Sequence, residues 1–203
     1  MTEAWDWPLF GWVADVRPAL AEAVAAGRPT TLATLYAVEG SAPRAPGAQM
    51  LFDEDLAVGF FSGGCIEADV ALHAAETLAD GEPRRLVYGR GSPFWDIRLV
   101  CGGRIEILLE RLAPADPAVR LLLQARQDRR PVTWLSNGRS RSVVPALEPF
   151  AFRPDPFRLA LPCPPAWRLA VVGGDPTALA IADLGVRAGL EVALLRPNGP
   201  ASP

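Results

Sequence analysis

Seven prolines between Pro145 and Pro165 place the strongest constraint on how this chain can fold. Proline lacks a backbone N–H donor and has a fixed φ, so it interrupts helices and the central strands of sheets. The segment also shows little hydrophobic periodicity, which is typical of an extended connection. We therefore predict a linker over 146–166, which separates a first domain at 1–145 from a short segment at 167–203.

Composition predicts the class of protein. Half of the 203 residues are hydrophobic and 21% are charged, which is typical of a packed globular core. The formal net charge of -3 argues against a nucleic-acid binder, which would need a basic face. No apolar run approaches the roughly 20 residues of a membrane span, and the acidic, aromatic segment 1–12 is unlike a signal peptide. We expect a cytoplasmic protein that contacts neither membrane nor nucleic acid.

Several kinds of chemistry are excluded by residues that the sequence lacks. All twenty lysine-or-arginine positions hold arginine, so neither a Walker-type phosphate loop nor a Schiff base can form. The single histidine, His73, excludes metal sites built from histidine clusters. The three cysteines, at positions 65, 101 and 163, are too few and too far apart for a disulfide framework.

The hydrophobic pattern predicts alternating strands and helices. In the first domain the predicted helices are 10–26, 65–79 and 117–129, and the predicted strands are 31–38, 49–52, 57–61, 85–88, 104–111, 132–136 and 142–144. After the linker, a strand at 168–172, a helix at 176–188 and a strand at 191–195 form one βαβ unit. One such unit cannot cover both faces of its own sheet. We therefore expect a truncated unit, or one that packs on the first domain or on another chain.

The segment Ser62-Gly63-Gly64-Cys65 places two glycines between a predicted strand and a predicted helix. Glycine permits a sharp turn in which successive N–H groups form a concave anion site, and the helix N-terminus adds partial positive charge. Cys65 would then lie in the first turn of the helix, where the same dipole favours a thiolate. The alternative is a tight turn around a small, buried cysteine.

Two other segments are candidates for the same site. Cys101-Gly102-Gly103 places a second thiol beside glycines, although a β-bulge with cysteine as a filler is the alternative. If both glycine turns lie at one end of the sheet, the thiols would suit a thiophilic metal better than Mg or Ca. Arg44 lies in a proline-braced loop at 39–47, where a guanidinium can bind phosphate in a bidentate manner, unless it is simply solvated.

Near the C-terminus, Gly173 and Gly174 occupy the place of a Rossmann first turn, between a strand and a helix. Asp175 stands where the middle glycine of that motif is needed, and its charge opposes a bound phosphate. Arg196 replaces the acidic ribose ligand expected about 20 residues further on, and it could accept a 2′-phosphate. These residues predict a Rossmann-like unit in which NAD(P) binding is impaired.

The sequence resembles the XdhC/CoxI family of accessory proteins of xanthine dehydrogenase and carbon monoxide dehydrogenase. The matching motifs are Glu39–Arg44, Gly47–Met50, Ser62–Val70 and Cys101–Gly103 leading into Glu106, in the family's order. The resemblance is close over residues 10–112 and weaker over 168–197. It implies an α/β fold, with an N-terminal mixed α/β domain of the XdhC/CoxI type followed by a truncated Rossmann-like βαβ unit.

The resemblance implies a chaperone rather than an enzyme. Such a protein binds the molybdenum cofactor in its molybdopterin form and holds it while a cysteine desulfurase supplies its sulfido ligand. It then delivers the cofactor to an apo hydroxylase of the xanthine dehydrogenase type, and a homodimer is expected. The implied cofactor contacts are Arg44, Ser62, Gly63, Gly64, Cys65, Glu67, Cys101, Gly102 and Gly103, with Cys65 and Cys101 as candidate molybdenum contacts.

Three alternatives remain open at this point. One is an NAD(P)-dependent oxidoreductase that uses Gly173, Gly174 and Arg196. Another is a thiol-based sulfur carrier, in which Cys65 or Cys101 transiently holds a persulfide. The last is an interaction domain without chemistry of its own.

Overall fold

A computed structural model describes residues 13–92, 99 and 102–197. The helices are α1 (Arg17–Ala25), α2 (Glu67–Asp80), α3 (Pro117–Gln127) and α4 (Pro176–Arg187). The strands are β1 (Thr30–Glu39), β2 (Gln49–Phe52), β3 (Ala57–Gly59), β4 (Arg84–Gly89), β5 (Arg104–Leu112), β6 (Val132–Ser136), β7 (Arg141–Val144), β8 (Ala151–Pro154), β9 (Phe157–Cys163), β10 (Arg168–Val172) and β11 (Glu191–Leu195). The predicted α/β class is confirmed.

The chain divides into two compact units between Pro164 and Pro165. The first is built around an antiparallel sheet of five strands in the order β3-β2-β1-β5-β4. Every residue of β1 from Thr30 to Tyr36 is buried, because both faces of this central strand are covered. One face packs against α2, and the other packs against α1, α3 and a second sheet.

Helix α2 covers its face of the sheet with a narrow apolar stripe. Val70, Ala74 and Thr77 are buried at the spacing of successive helical turns. The helix ends at Gly81, whose φ of +76° is the left-handed conformation common at helix C-termini. Its first residue is Glu67, so Cys65 lies before the helix and not in its first turn as predicted.

Helix α1 also starts later than the sequence pattern predicts. Residues 13–16 are not helical, and the first residues of the predicted helix at 10–26 lie outside the described residues. The helix has proline in its first turn, where the missing N–H is not needed. The Asp15 carboxylate accepts a hydrogen bond from the N–H of Arg17 at 3.0 Å, which satisfies one free donor at the helix start.

A second antiparallel sheet, in the order β7-β6-β9-β8, occupies most of the segment predicted as a linker. The linker prediction over 146–166 is wrong for β8 and β9. β9 pairs with β6 from Cys163, opposite Val132, to Leu159, opposite Ser136. Its alternate residues Leu159, Leu161 and Cys163 are buried, which is the pattern of a strand with one face on a core.

The prolines of this sheet lie where strands tolerate them. Pro154 is the last residue of β8, and Pro156 is in the turn to β9. β8 pairs with β9 only as far as Ala160, which is opposite Ala151. Pro162 lies beyond this point, so one side of β9 is an unpaired edge at Pro162. The proline count therefore concealed a strand pattern.

The second unit is the predicted βαβ arrangement. β10 and β11 pair in parallel, from Arg168 opposite Glu191 to Val172 opposite Leu195, and α4 connects them. Several of its large apolar side chains are exposed to solvent: Val172, Leu179, Ile181, Leu184, Val186 and Leu195.

Candidate functional site

Three of the motif-bearing loops leave the five-stranded sheet at the same end. β1 finishes at Glu39, beside the first residue of the antiparallel strand β5, Arg104. β3 runs parallel to β1, because both are antiparallel to β2, and it finishes at Gly59. The loops at 40–47, 60–66 and 102–103 therefore lie toward the same end of the sheet, although β3 ends level with Ala33, before the end of β1.

Close contacts join these loops. The Arg44 guanidinium lies 4.3 Å from the centre of the Phe60 ring, a cation–π contact between the first and second loops. Gly103 packs against the loop that follows β1, and a Cβ at this position would overlap the carbonyl group of Ser41. The third loop therefore needs glycine at Gly103 to approach the first.

The turn at 61–66 wraps around the carboxylate of Glu67. The carboxylate is fully buried and accepts a hydrogen bond from the Ser62 hydroxyl at 2.6 Å. It also accepts hydrogen bonds, at 2.6–3.2 Å, from the backbone N–H groups of Phe61, Ser62, Gly63, Gly64 and Ile66. The predicted concave N–H site is present, and its anion is supplied by the chain.

This arrangement corrects the prediction for Gly63, Gly64 and Glu67. The N–H groups expected to face an external phosphate are hydrogen-bonded to Glu67, and Glu67 itself is not exposed to a ligand. Both glycines have positive φ, +85° and +121°, which side chains rarely adopt. They are therefore required by the turn that encloses the carboxylate.

Hydrogen bonding keeps the Glu67 carboxylate ionised. Burial alone would raise its pKa, but hydrogen bonds from the Ser62 hydroxyl and from the N–H groups of Ser62 and Phe61 outweigh burial and lower the pKa to about 2. A carboxylate surrounded by N–H donors is stabilised in its charged form. The turn therefore retains its internal anion throughout the neutral pH range.

Cys65 carries the exposed side chain of this turn, next to the exposed glycines Gly63 and Gly64. Its side chain is exposed, and its N–H donates to the Ser62 hydroxyl oxygen at 2.9 Å. The alternative interpretation, a small buried cysteine in a tight turn, is wrong. An exposed thiol on a turn with many hydrogen bonds can approach a ligand without rearrangement of the backbone.

Arg44 is half-buried beside Phe60, and burial lowers the pKa of its guanidinium. Arginine nevertheless remains charged in proteins, because its ordinary pKa lies far above neutral pH. The loop therefore holds a partly desolvated cation next to the turn that carries Cys65. Such a cation interacts with an anionic ligand more strongly than a fully solvated arginine does.

The structure adds a residue pair that the sequence analysis did not find. Tyr88, at the end of β4, is buried and donates a 2.6 Å hydrogen bond to the carboxylate of Asp69 in α2. Burial and this carboxylate together raise the pKa of the Tyr88 hydroxyl. The pair fixes the start of α2 against β4. The sequence gives no local signal for it, because the two residues are 19 positions apart.

Part of the predicted site lies outside the described residues. Cys101 is among them, so a pocket shared by Cys65 and Cys101 stays a prediction, as does the role of Gly102. Over residues 13–92, 99 and 102–197, no group of three or more His, Cys, Asp or Glu side chains is arranged to bind a metal ion. No helix in that part of the chain is long and apolar enough to cross a membrane.

The candidate dinucleotide turn contains an internal anion of its own. The Asp175 carboxylate caps α4 by accepting the N–H of Ala178 at 2.8 Å. A dinucleotide phosphate would meet this negative charge at the helix N-terminus. Arg196 is exposed after β11, and its role with Gly173 and Gly174 stays a prediction.

Comparisons with known proteins agree with the motif pattern. Residues 23–89 match the model of the XdhC and CoxI family. The molybdenum cofactor insertion chaperone PaoD of Escherichia coli (strain K12) is 41% identical over 124 residues, which are 61% of this chain and 39% of that protein. A crystal structure of a xanthine dehydrogenase from Bacillus halodurans has a TM-score of 0.69 at 25% identity, covering 88% of this chain and 61% of that one.

The chain spans less than two thirds of the length of either relative. The matched segment at 23–89 nevertheless includes the Arg44 loop and the entire turn around Glu67. The predicted resemblance is confirmed: residues 23–89 match the XdhC and CoxI family, and a molybdenum cofactor insertion chaperone is 41% identical over 124 residues.

Proposed function

We propose that this protein is a molybdenum cofactor chaperone, which binds the cofactor at the loops that lie toward one end of the five-stranded sheet. The observation that carries the proposal is the exposed Cys65 thiol, held on a turn that Glu67 organises and placed beside the Arg44 loop. The similarity to a protein named as a molybdenum cofactor insertion chaperone supports the same function.

The residues present fit the cofactor in part. A thiol is a soft donor, which suits a thiophilic molybdenum centre, and Cys65 is accessible for this role. A half-buried guanidinium suits the phosphate of molybdopterin, which places Arg44 at that end. Gly63 and Gly64 do not fit as phosphate ligands, because Glu67 uses their N–H groups. We assign these glycines, with Ser62 and Glu67, to shaping the turn.

In this proposal, the residues of the chain hold the cofactor and protect it. Cys65 would bind the metal end, Arg44 would neutralise the phosphate, and Gly103 would keep the third loop close enough for Cys101 to contribute. When bound, the cofactor supplies oxidation–reduction chemistry that is used in the client enzyme. The protein therefore acts as an accessory factor, and its client is a hydroxylase of the xanthine dehydrogenase type.

A transfer assay tests this function. The protein is loaded with isolated molybdenum cofactor under anaerobic conditions and mixed with an apo hydroxylase of the xanthine dehydrogenase type. We expect activation by the wild type and by Cys163→Ala, a control that removes a buried thiol of the second sheet. Cys65→Ala should activate poorly. Equal activation by all three proteins would contradict the proposal.

The accessible thiol also supports a second candidate function, sulfur transfer to the cofactor. A cysteine desulfurase would carry a persulfide, and the Cys65 thiolate would attack its terminal sulfur and release the desulfurase thiolate. Mass spectrometry would then show the gain of one sulfur atom in wild type and none in Cys65→Ala. This proposal includes a cysteine desulfurase as the sulfur donor. It also includes a homodimer as the form of the protein that acts. The Asp175 cap argues against the NAD(P)-dependent alternative.

A further inference from the structure

A cavity of about 590 Å³ lies on the second sheet, and none of its lining residues belongs to the loops that carry the proposed cofactor site. Its floor is a cross-strand row in which Leu135 pairs with Ser142 on one side and with Ala160 on the other, and Ala160 pairs with Ala151. The neighbour of Leu135 in β6, Trp134, is buried in the core, so Leu135 faces the opposite side of the sheet. Small side chains beside Leu135 leave the depression open. Its volume is within the range of small-molecule sites.

The charge of this cavity is one-sided. Its lining includes three arginines, Arg141, Arg153 and Arg158, and no acidic residue. Arg141 is already paired with Asp116 at 2.7 Å. Within residues 13–92, 99 and 102–197, the guanidinium groups of Arg153 and Arg158 have no hydrogen-bond or ion-pair partner. Asp155, in the turn between them, does not pair with either arginine.

Arg153 and Arg158 are also directly opposite each other in the β8–β9 pairing. Residues at such positions have their Cβ atoms about 5 Å apart on one face of the sheet, and like charges there repel. A bound anion between the two guanidinium groups would convert this repulsion into attraction. Both side chains are exposed, and two guanidinium groups on opposed residues can together match the geometry of phosphate oxygens.

The opposite rim supplies neutral hydrogen-bond donors. The Asn137 side-chain oxygen accepts the N–H groups of Arg139 and Ser140, which leaves the amide nitrogen of Asn137 available. The hydroxyl groups of Ser140 and Ser142 donate to no other group of the described chain. The cavity therefore combines an apolar floor, two unpaired cations and several free donors.

We propose that this cavity binds a small molecule that carries a phosphate or pyrophosphate group. The phosphate lies between Arg153 and Arg158, and the rest of the molecule rests on Leu135 and its small neighbours. This site is separate from the proposed cofactor site, and each can be tested without the other. A nucleotide and free pyrophosphate share the chemistry that the arginines recognise.

Isothermal titration calorimetry of the full chain with ADP and with inorganic pyrophosphate tests the proposal. We expect saturable binding to the wild type, and an affinity at least roughly tenfold lower in Arg153→Gln/Arg158→Gln, because two charge-assisted contacts are lost. The matched control is Arg111→Gln/Arg120→Gln, which removes the same charge from exposed positions that do not line the cavity. This control should bind as the wild type does.

The outcomes separate the possible ligands. Tighter binding of ADP than of pyrophosphate supports an organic phosphate, and equal affinities support free pyrophosphate as the ligand. Absence of saturable binding of both probes to the folded wild type overturns the proposal. An equal loss of affinity in the control variant also overturns it, because binding would then reflect only the total charge.

Discussion

The chain contains two turns in which a pair of glycines connects a strand to a helix, and each turn carries an anion of its own. In the first, Glu67 is fully buried and accepts six hydrogen bonds from the turn before it. In the second, Asp175 is exposed and accepts one, from the N–H of Ala178. A glycine pair before a helix therefore produces a turn wrapped around a buried carboxylate in one unit and an ordinary capped helix in the other.

The difference follows from where the carboxylate is in each sequence. Glu67 comes three residues after Gly64, as the first residue of its helix, so its longer side chain reaches back into the turn. Asp175 comes directly after Gly174, at the N-cap, so its side chain reaches forward into the helix. A glycine pair before a helix thus predicts an anion site, and the next acidic residue decides whether the chain occupies that site itself.

The largest effect should come from removing the buried charge. Glu67→Gln replaces one acceptor oxygen by a donor in a site surrounded by donors, so several N–H groups lose their partner. We expect the free energy of unfolding to fall by about 2–4 kcal/mol in urea titrations. Asp175→Asn is the matched control and should change it by less than about 0.5 kcal/mol, because Asn caps helices as well as Asp. Equal losses in the two variants would contradict the comparison.

The contribution of Glu67 should also depend on pH. Its pKa in the folded chain is about 2, below the ordinary value of 4.5, so its stabilisation is present above pH 4.5 and is lost as the pH falls toward 2. The difference in unfolding free energy between wild type and Glu67→Gln should therefore shrink by up to about 3 kcal/mol over this range. Urea titrations at several pH values measure it. A difference that does not change with pH would show that the charge of Glu67 contributes nothing.

Replacing a glycine should also destabilise the first turn more than the second, but the difference in unfolding free energy should be smaller than for the carboxylates. Gly64→Ala must place a side chain at a φ of +121°, which should cost about 1–2 kcal/mol. Gly174→Ala meets no atom within 4 Å and needs no positive φ, so its effect should be close to zero. Thermal unfolding of both variants gives the comparison. A Gly174→Ala variant as unstable as Gly64→Ala would mean that both turns are constrained.

The smallest effect on stability should come from the thiol that the first turn presents. Cys65 is exposed, so Cys65→Ala should change the unfolding free energy by less than about 0.5 kcal/mol. Alkylation of the native protein by iodoacetamide should modify Cys65 and leave the buried Cys163 unmodified. Modification of Cys163 before Cys65 would contradict the described environments of both thiols.

The elements predicted correctly from the sequence are those whose pattern is local. β1 is a run of β-branched and apolar residues, and α2 repeats its buried residues at helical spacing, so each could be recognised within its own segment. β9 was missed because its prolines argued against a strand. Pro162 is tolerated because the pairing of β8 with β9 does not reach it. This depends on how the strands pair and cannot be recognised in the sequence of β9 itself.

The features of the candidate site also fall into those that are local in the sequence and those that depend on the folded backbone. The sequence predicted a concave N–H turn and a nearby thiol, because glycines and a helix start are local features. It did not predict that Glu67 would occupy the turn, because this depends on the path of the backbone through Gly63 and Gly64. The pair of Tyr88 and Asp69 depends on the packing of α2 against β4, which no local pattern encodes.

The central claim is that the turn around Glu67 presents Cys65 to the molybdenum cofactor. The most direct test is to measure how much molybdenum the protein retains after anaerobic incubation with isolated cofactor. Wild type and Cys163→Ala should retain nearly one molybdenum per chain, and Cys65→Ala should retain much less. Cys101→Ala, tested in parallel, shows whether the second thiol contributes. Equal retention by Cys65→Ala and wild type, or no retention by folded wild type, would contradict the account.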